Sequence, residues 1–223
     1  HKLDTELAVL RAEPSVGVVF SDFVRFNEHR FLANQFSFYP ELSSVSVRDS
    51  SDGHGKVILG DPFCELIRFG QFPVYVHPCL FRRGLLQGIE FPPSLKKSEE
   101  LYFVMRAYER GEVGFIPEVL AEVRRHGANT SWDLFEIELW HVEALRLLEK
   151  AVTPHHRRAV RLRLGTKCAA VGHNNFWEKR AWIAARYYLK CLMYPGRRMN
   201  ALLHLAALPL LPFLPRRTAR GYG

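Results

Sequence analysis

The sequence predicts an α/β domain followed by a helical extension, and three observations carry that prediction. Val16–Phe26 (VGVVFSDFVRF) is β-branched and aromatic, with almost continuous apolarity at its start, as in a strand covered on both faces. Ser98–Arg110 (SEELYFVMRAYER) repeats its apolar residues at helical spacing, and an extended segment follows it. After Trp132 strand formers give way to helical periodicity. The boundary divides the chain into 1–131 and 132–223.

Taken in order, His1–Ala12 sets Leu3, Leu7 and Leu10 on one face, and Pro14 stops the helix before the strand at Val16. Asp22 interrupts that strand. From Phe31 to Gly60 a Ser-rich excursion runs between aromatic residues, with Ser50–Lys56 (SSDGHGK) as a turn or loop. A phosphate loop is excluded there, because Gly53-His54-Gly55-Lys56-Val57 has neither the spacing nor the hydroxyl of G-x-x-x-x-G-K-[ST]. Asp61–Phe69 reads as a short helix with Asp61 as N-cap, Pro62 at the first helical position and Gly70 as the stop. Val74–Arg82 reads as an edge strand broken at Pro78. Ser98 is the expected N-cap of the next helix and Gly111 its stop. Val113–Val123 then reads as two extended pieces either side of Pro117, ending in the polar run Arg124–Ser131. Beyond Trp132, breaks at Thr153-Pro154, Gly172-His173-Asn174 and Pro195-Gly196 predict three or four helices. Met199–Leu214 is almost wholly apolar, but at 16 residues, interrupted by prolines, it suits a membrane interface better than a span.

The 223 residues, 48% hydrophobic and 24% charged, suit a globular chain that can bury a sizeable core. Cys64, Cys79, Cys168 and Cys191 form no C-x-x-C pair and no zinc spacing, which excludes zinc ribbons and thioredoxin-like chemistry and fits a reducing compartment. His1 is followed by no basic-then-apolar leader, so the expectation is a cytoplasmic fragment, peripheral at most to the inner face of the cytoplasmic membrane. The net charge of +8 is uneven: residues 151–223 carry 14 basic and one acidic side chain, residues 1–150 carry 17 basic and 22 acidic. A basic end of this kind meets nucleic acid, an anionic membrane or an acidic partner. Tyr187, Tyr188, Leu189, Leu192 and Met193, with the arginines at 197–198 and 216–217, read as a membrane-surface tail, or equally as a solvated helical face plus a core-packing stripe.

The residues that can carry chemistry are Glu99 and Glu100 at a helix start, then Arg124, Arg125, His126 and Asn129. A carboxylate beside a sugar hydroxyl takes its proton as the oxygen attacks, and cations near a diphosphate stabilise the departing charge. Acids in a first turn also serve the helix macrodipole, and R-R-H after a strand also serves as a solvated turn. Both readings stand on these residues alone. A nucleic-acid-binding or adaptor module built on the basic helices is the alternative from another class, although no DNA- or RNA-binding signature is present and no nucleic-acid partner is expected. A hydrolase using His126, His141 or His155-His156 lacks a Ser or Cys nucleophile in an elbow.

The runs Leu3–Asn27 and Leu85–Ser131, with the acidic pair Glu99-Glu100 and the R-R-H at 124–126, resemble family 2 glycosyltransferases of GT-A fold. Leu3–Asn27 (LDTELAVLRAEPSVGVVFSDFVRFN) is similar to the helix and V-G-L-V-Y-S-D strand that follow that family's metal-binding acidic motif. Leu85–Ser131 (LLQGIEFPPSLKKSEELYFVMRAYERGEVGFIPEVLAEVRRHGANTS) is similar to the run with an acidic pair before L-W-L-R, then I-P-E-V-L and R-R-H-x-x-N. The resemblance covers residues 1 to 131. It implies a partial GT-A, Rossmann-like sheet with flanking helices, representing the acceptor side of a longer enzyme whose nucleotide-binding half precedes it. It implies Glu99 and Glu100 as the acidic pair, Glu100 as catalytic base, and Arg106 as the family arginine. The family carries Asp at the base, so Glu100 sets its carboxylate about one bond length further out. His126 falls on the histidine that reaches metal or diphosphate, with Arg124 and Arg125 beside it, while Asp22 and Asn129 are weaker substrate-proximal matches. The implied reaction is inverting transfer from a nucleotide-sugar donor to the hydroxyl of a glycan or lipid-linked acceptor of the cell envelope. It is assisted by Mg2+ or Mn2+ whose main acidic ligands precede His1, so that this chain is inactive alone.

Overall fold

The structure, a computed structural model, describes residues 1–27, 30–69, 75–124 and 134–214. The chain divides into two compact units, His1–Trp132 and Asp133–Gly223. The fold is α/β, with a mixed sheet of six strands and, among the described residues, seven α-helices.

In the first unit α1 (Lys2–Ala12) leads into β1 (Val16–Phe26), the hub of the sheet. The further strands are β2 (Phe31–Asn34), β3 (Val47–Asp49), β4 (Lys56–Ile58), β5 (Cys79–Phe81) and β6 (Glu112–Arg124). Strand order is β2-β1-β6-β4-β3, with β5 also against β1; β1 and β6 run parallel and every other pairing is antiparallel. The first nine residues of β1 are buried, matching their continuous apolarity. Val16 and Val19 join Val9 and Leu10 of α1 on one side, and Phe20 stacks at 5.7 Å on Phe115 with Phe36 and Tyr108 nearby. Burying such aliphatic and aromatic side chains contributes about 1.5–3 kcal/mol each, which makes this strand the energetic centre of the unit.

Helix α1 buries Glu6, Val9 and Leu10 and leaves Leu3 and Leu7 exposed, which corrects the leucine face read from spacing. A carboxylate is tolerated on the inner face because Lys2 Nζ lies 2.6 Å from Glu6 Oε2 and Ser21 Oγ donates to Oε1 at 3.1 Å. The helix C-terminus is tied down by Arg82, whose guanidinium donates to the carbonyls of Leu10, Glu13 and Val16. The Ser50–Lys56 turn closes the β3–β4 hairpin, with Ser50 Oγ accepting from Gly55 N at 2.9 Å. Helix α2 (Pro62–Ile67) is capped as read, Asp61 accepting from Cys64 N at 3.0 Å. Val74, the expected start of the next strand, lies outside the described residues, and β5 begins after the 76–78 turn.

Helix α3 (Glu99–Tyr108) starts where expected, yet Ser98 makes no side-chain cap. Its φ of 62° places it in the left-handed region, away from the conformation in which a serine hydroxyl reaches the first-turn amides. Strand β6 runs unbroken through Pro117 instead of splitting there. The β1–β6 register jumps from Ser21↔Ile116 to Asp22↔Val119, so Pro117 and Glu118 form a bulge. On the other side β4 pairs only as far as Phe115, and the proline's missing N–H interrupts no ladder.

The second unit consists of α4 (Leu134–Ala151), α5 (Pro154–Trp177), α6 (Ala181–Leu192) and α7 (Arg198–Ala207), followed by a 3-10 turn at Leu208–Phe213. Pro154 opens α5 and the Pro195-Gly196 turn separates α6 from α7, as read. No break occurs at Gly172. A Cβ there would stand 2.8 Å from the Tyr188 ring, so this glycine admits an aromatic side chain from α6 instead of ending its helix. No helix among the described residues is long and apolar enough to cross a membrane.

Candidate functional site

The C-terminal end of β1 and the turn at 75–78 are joined by side chains. Arg25 Nη2 donates to the Tyr75 hydroxyl at 2.8 Å, and its guanidinium lies 5.3 Å from the Tyr75 ring and 5.5 Å from the Phe23 ring. Phe23 meets His77 edge to face at 4.7 Å. Between those two aromatic residues the amide of Val76 donates to Glu100 Oε2 at 3.3 Å, binding α3's first turn to this turn. His77 keeps an exposed face, and desolvation of the rest of its ring lowers its pKa, with Arg25 adding to the effect.

Glu99 and Glu100 are both half-buried, and Glu100 has its proton affinity raised. Burial is the main cause, the Val76 amide opposes it, and the neighbouring Glu99 adds to it. Asp22 is nearly fully buried opposite the β6 bulge, where its Oδ1 accepts from Phe23 N at 2.8 Å and Phe36 N at 3.0 Å. Burial raises its proton affinity too. Arg124, exposed at the end of β6, pairs in register with Phe26, four residues beyond Asp22 on β1. Arg106 is paired with Glu109 in the last turn of α3. His126, Arg125 and Asn129 lie outside the described residues, as do Arg216 and Arg217.

The excursion from Phe31 to Gly60 walls a cavity of about 490 Å³, lined by Phe36, Tyr39, Leu42 and Val47 with Phe115 and Pro117 of β6. Lys56 also lines it, its Nζ held 2.7 Å from Asp49. A second cavity of about 550 Å³ lies at Arg83, Leu86 and Gln87. Neither is lined by Glu99 or Glu100. Within the first unit, no three His, Cys, Asp or Glu ligand atoms converge among the described residues. Asp22 is spent on backbone amides, and the described residues therefore do not provide a hard-oxygen ligand set for Mg2+ or Mn2+.

No protein-family model matches this sequence, and no curated protein is significantly similar to it.

Spacing alone does not bring out Arg25, Tyr75 and His77. Arg25 falls in a strand that reads as apolar, and its partners come from a turn some fifty residues on. The one local signal is an aromatic-rich V-Y-V-H beside a proline, which reads as an edge strand.

Proposed function

We propose that this chain is the acceptor side of an inverting GT-A-type glycosyltransferase of family 2, acting within a longer polypeptide, with Glu100 as the general base. The observation that carries the reading is the Glu100 carboxylate: half-buried at the start of α3, one oxygen held by the Val76 amide, and its proton affinity raised by burial. A higher proton affinity than that of a solvated glutamate is the direction a base for an alcohol requires, and the amide orients the second oxygen. In the reaction the acceptor hydroxyl oxygen bonds to the anomeric carbon as the bond from that carbon to the diphosphate oxygen breaks. The hydroxyl proton goes to Glu100, and the nucleoside diphosphate leaves with the bonding electrons. Arg124 is cationic and exposed at the carboxyl end of the parallel β1–β6 pair, the end of the strands where ligands of α/β folds gather. The acceptor on this reading is an envelope or lipid-linked glycan.

The test is Glu100→Gln in the longer polypeptide, assayed with a panel of UDP- and GDP-sugars. Removing a general base lowers kcat by about 10²- to 10⁴-fold while donor affinity stays near that of the wild type. Loss of donor affinity in proportion to kcat, or full activity of the variant, rejects the assignment.

A further inference from the structure

We propose that the outward face of α6 and α7 is a docking surface for an anionic lipid bilayer, on which the second unit rests without crossing it. The proposal stands on this unit alone and is independent of sugar transfer. Helix α6 buries Ala184, Tyr187, Tyr188 and Cys191. The two tyrosines are therefore the core-packing stripe of the alternative reading and not part of the surface tail. The opposite side of α6 carries Trp182, Arg186, Leu189 and Met193, spaced by four, three and four residues, so that they form one exposed stripe. Trp182 is 81% exposed.

Helix α7 repeats the arrangement. Ala201 is buried and His204 packs inward, its ring 5.0 Å from Tyr188 and its Nε2 3.3 Å from His173 Nδ1 of α5. The exposed residues Met199, Leu202 and Leu203 lie on the reverse side, and Phe213 beyond them is 84% exposed. Both helices pack inward on α5, through Tyr188 against Gly172 and through His204 against His173, so both apolar stripes turn away from it.

The charge around these stripes selects the occupant. Residues 179–214 hold six Lys and Arg and no Asp or Glu. Arg180 pairs with Glu178 at 3.2 Å and Lys190 lies 3.8 Å from Glu143, which leaves Arg186, Arg197 and Arg198 as exposed cations beside the stripes. A second copy of the same face would bring these like charges together, which disfavours self-association. A polyanion in water would satisfy the cations but leave the Trp, Leu and Met stripe unburied. An anionic bilayer satisfies both: the apolar side chains enter the headgroup–acyl boundary, tryptophan is favoured there, and each Lys or Arg gains from the surface potential.

The test is co-sedimentation of the full chain with phosphatidylcholine vesicles, with and without phosphatidylglycerol. Binding to the anionic vesicles, weak binding to the neutral ones and release by salt are expected. Leu189→Ser with Leu203→Ser lowers partitioning about tenfold or more, and Arg186→Gln lowers it about fivefold. All three positions point outward, and circular dichroism verifies that the helices persist. Equal binding to both vesicle types overturns the proposal, as does wild-type partitioning by a folded double serine variant. So does a stable dimer that the serine substitutions dissociate while wild-type vesicle binding is absent.

Discussion

Gly165→Ala sets two opposing effects against each other. Alanine is favoured over glycine inside a helix by about 1 kcal/mol, so propensity alone predicts a stabilised α5. Gly165 faces the turn between α6 and α7, however, and a Cβ there would stand 2.5 Å from the Pro195 carbonyl oxygen and 3.3 Å from Tyr194 Cβ. Close C–H···O contacts lie at about 3.3–3.6 Å, so the backbone of the turn would have to retreat by roughly 0.8 Å. That turn is held from both ends: Tyr194 N donates to Cys191 O at 3.1 Å, and Cys191 Sγ lies 3.3 Å from Gly165 O. Overpacking a close-packed interior costs about 1–3 kcal/mol, and obstruction by a carbonyl oxygen instead of a mobile side chain puts this site at the upper end. After the propensity gain, the net loss is about 1–2 kcal/mol. Urea unfolding followed by far-UV circular dichroism reads it as a lower midpoint with unchanged slope. Gly84→Ala is the control, with nothing within 4 Å of its new Cβ, and its midpoint moves little. A Gly165→Ala midpoint at or above wild type would refute the close approach of α5 to the turn.

The His141 pKa is pushed down to about 3 by burial, with Lys167 and Arg163 adding to it. Its folded value lies below the unfolded 6.5, so its contribution to stability is level above that pH and falls as acid is added towards 3. The loss is about 2 kcal/mol by pH 5, and urea titrations at several pH values should show a shallower acid-side slope in His141→Gln. Asp22→Ala leaves the Phe23 and Phe36 amides without their acceptor at a buried position, a loss of about 1–3 kcal/mol, whereas Asp22→Asn keeps one carbonyl oxygen for both and melts close to wild type.

Where the sequence reads correctly, the determinant is local. Pro14 after α1 and Asp61-Pro62 before α2 act on their own few residues, and a strand buried on both faces announces itself by composition. Gly111 is no such stop, since α3 ends at Tyr108 and a Cβ at Gly111 would stand 3.0 Å from Leu85. Where it misleads, a distant partner decides. Gly172 reads as a helix break because its role is to admit Tyr188, and Pro117 reads as a strand break because β4 ends before reaching it. The inner face of α1 was hidden by Glu6, a residue that spacing assigns to solvent until Lys2 and Ser21 are placed beside it. The candidate site follows the same pattern. Glu99 and Glu100 at a helix start are legible, but that a Val76 amide engages Glu100, within a turn braced by Arg25, follows only from the fold.

Among the described residues of the first unit three carboxyl groups, Glu6, Asp22 and Glu100, have their proton affinity raised, each chiefly by burial. A raised affinity alone therefore nominates none of them as a base. What separates them is how their oxygens are engaged. Glu6 has one oxygen on Lys2 and the other on Ser21, an arrangement that stabilises its ionised form in place. Asp22 receives two backbone amides on one oxygen and is nearly fully buried beside the β6 bulge, so a substrate does not reach it. Glu100 receives a single long amide contact, and it stands at the opening of α3, where the helix dipole favours the anion while burial favours the acid. Those two influences oppose each other only at Glu100, and burial prevails. A carboxylate whose proton affinity is raised and whose sole hydrogen bond here is one long amide contact is the one of the three on which the proposed base role rests. The other two are suited to hold a helix and a strand in place.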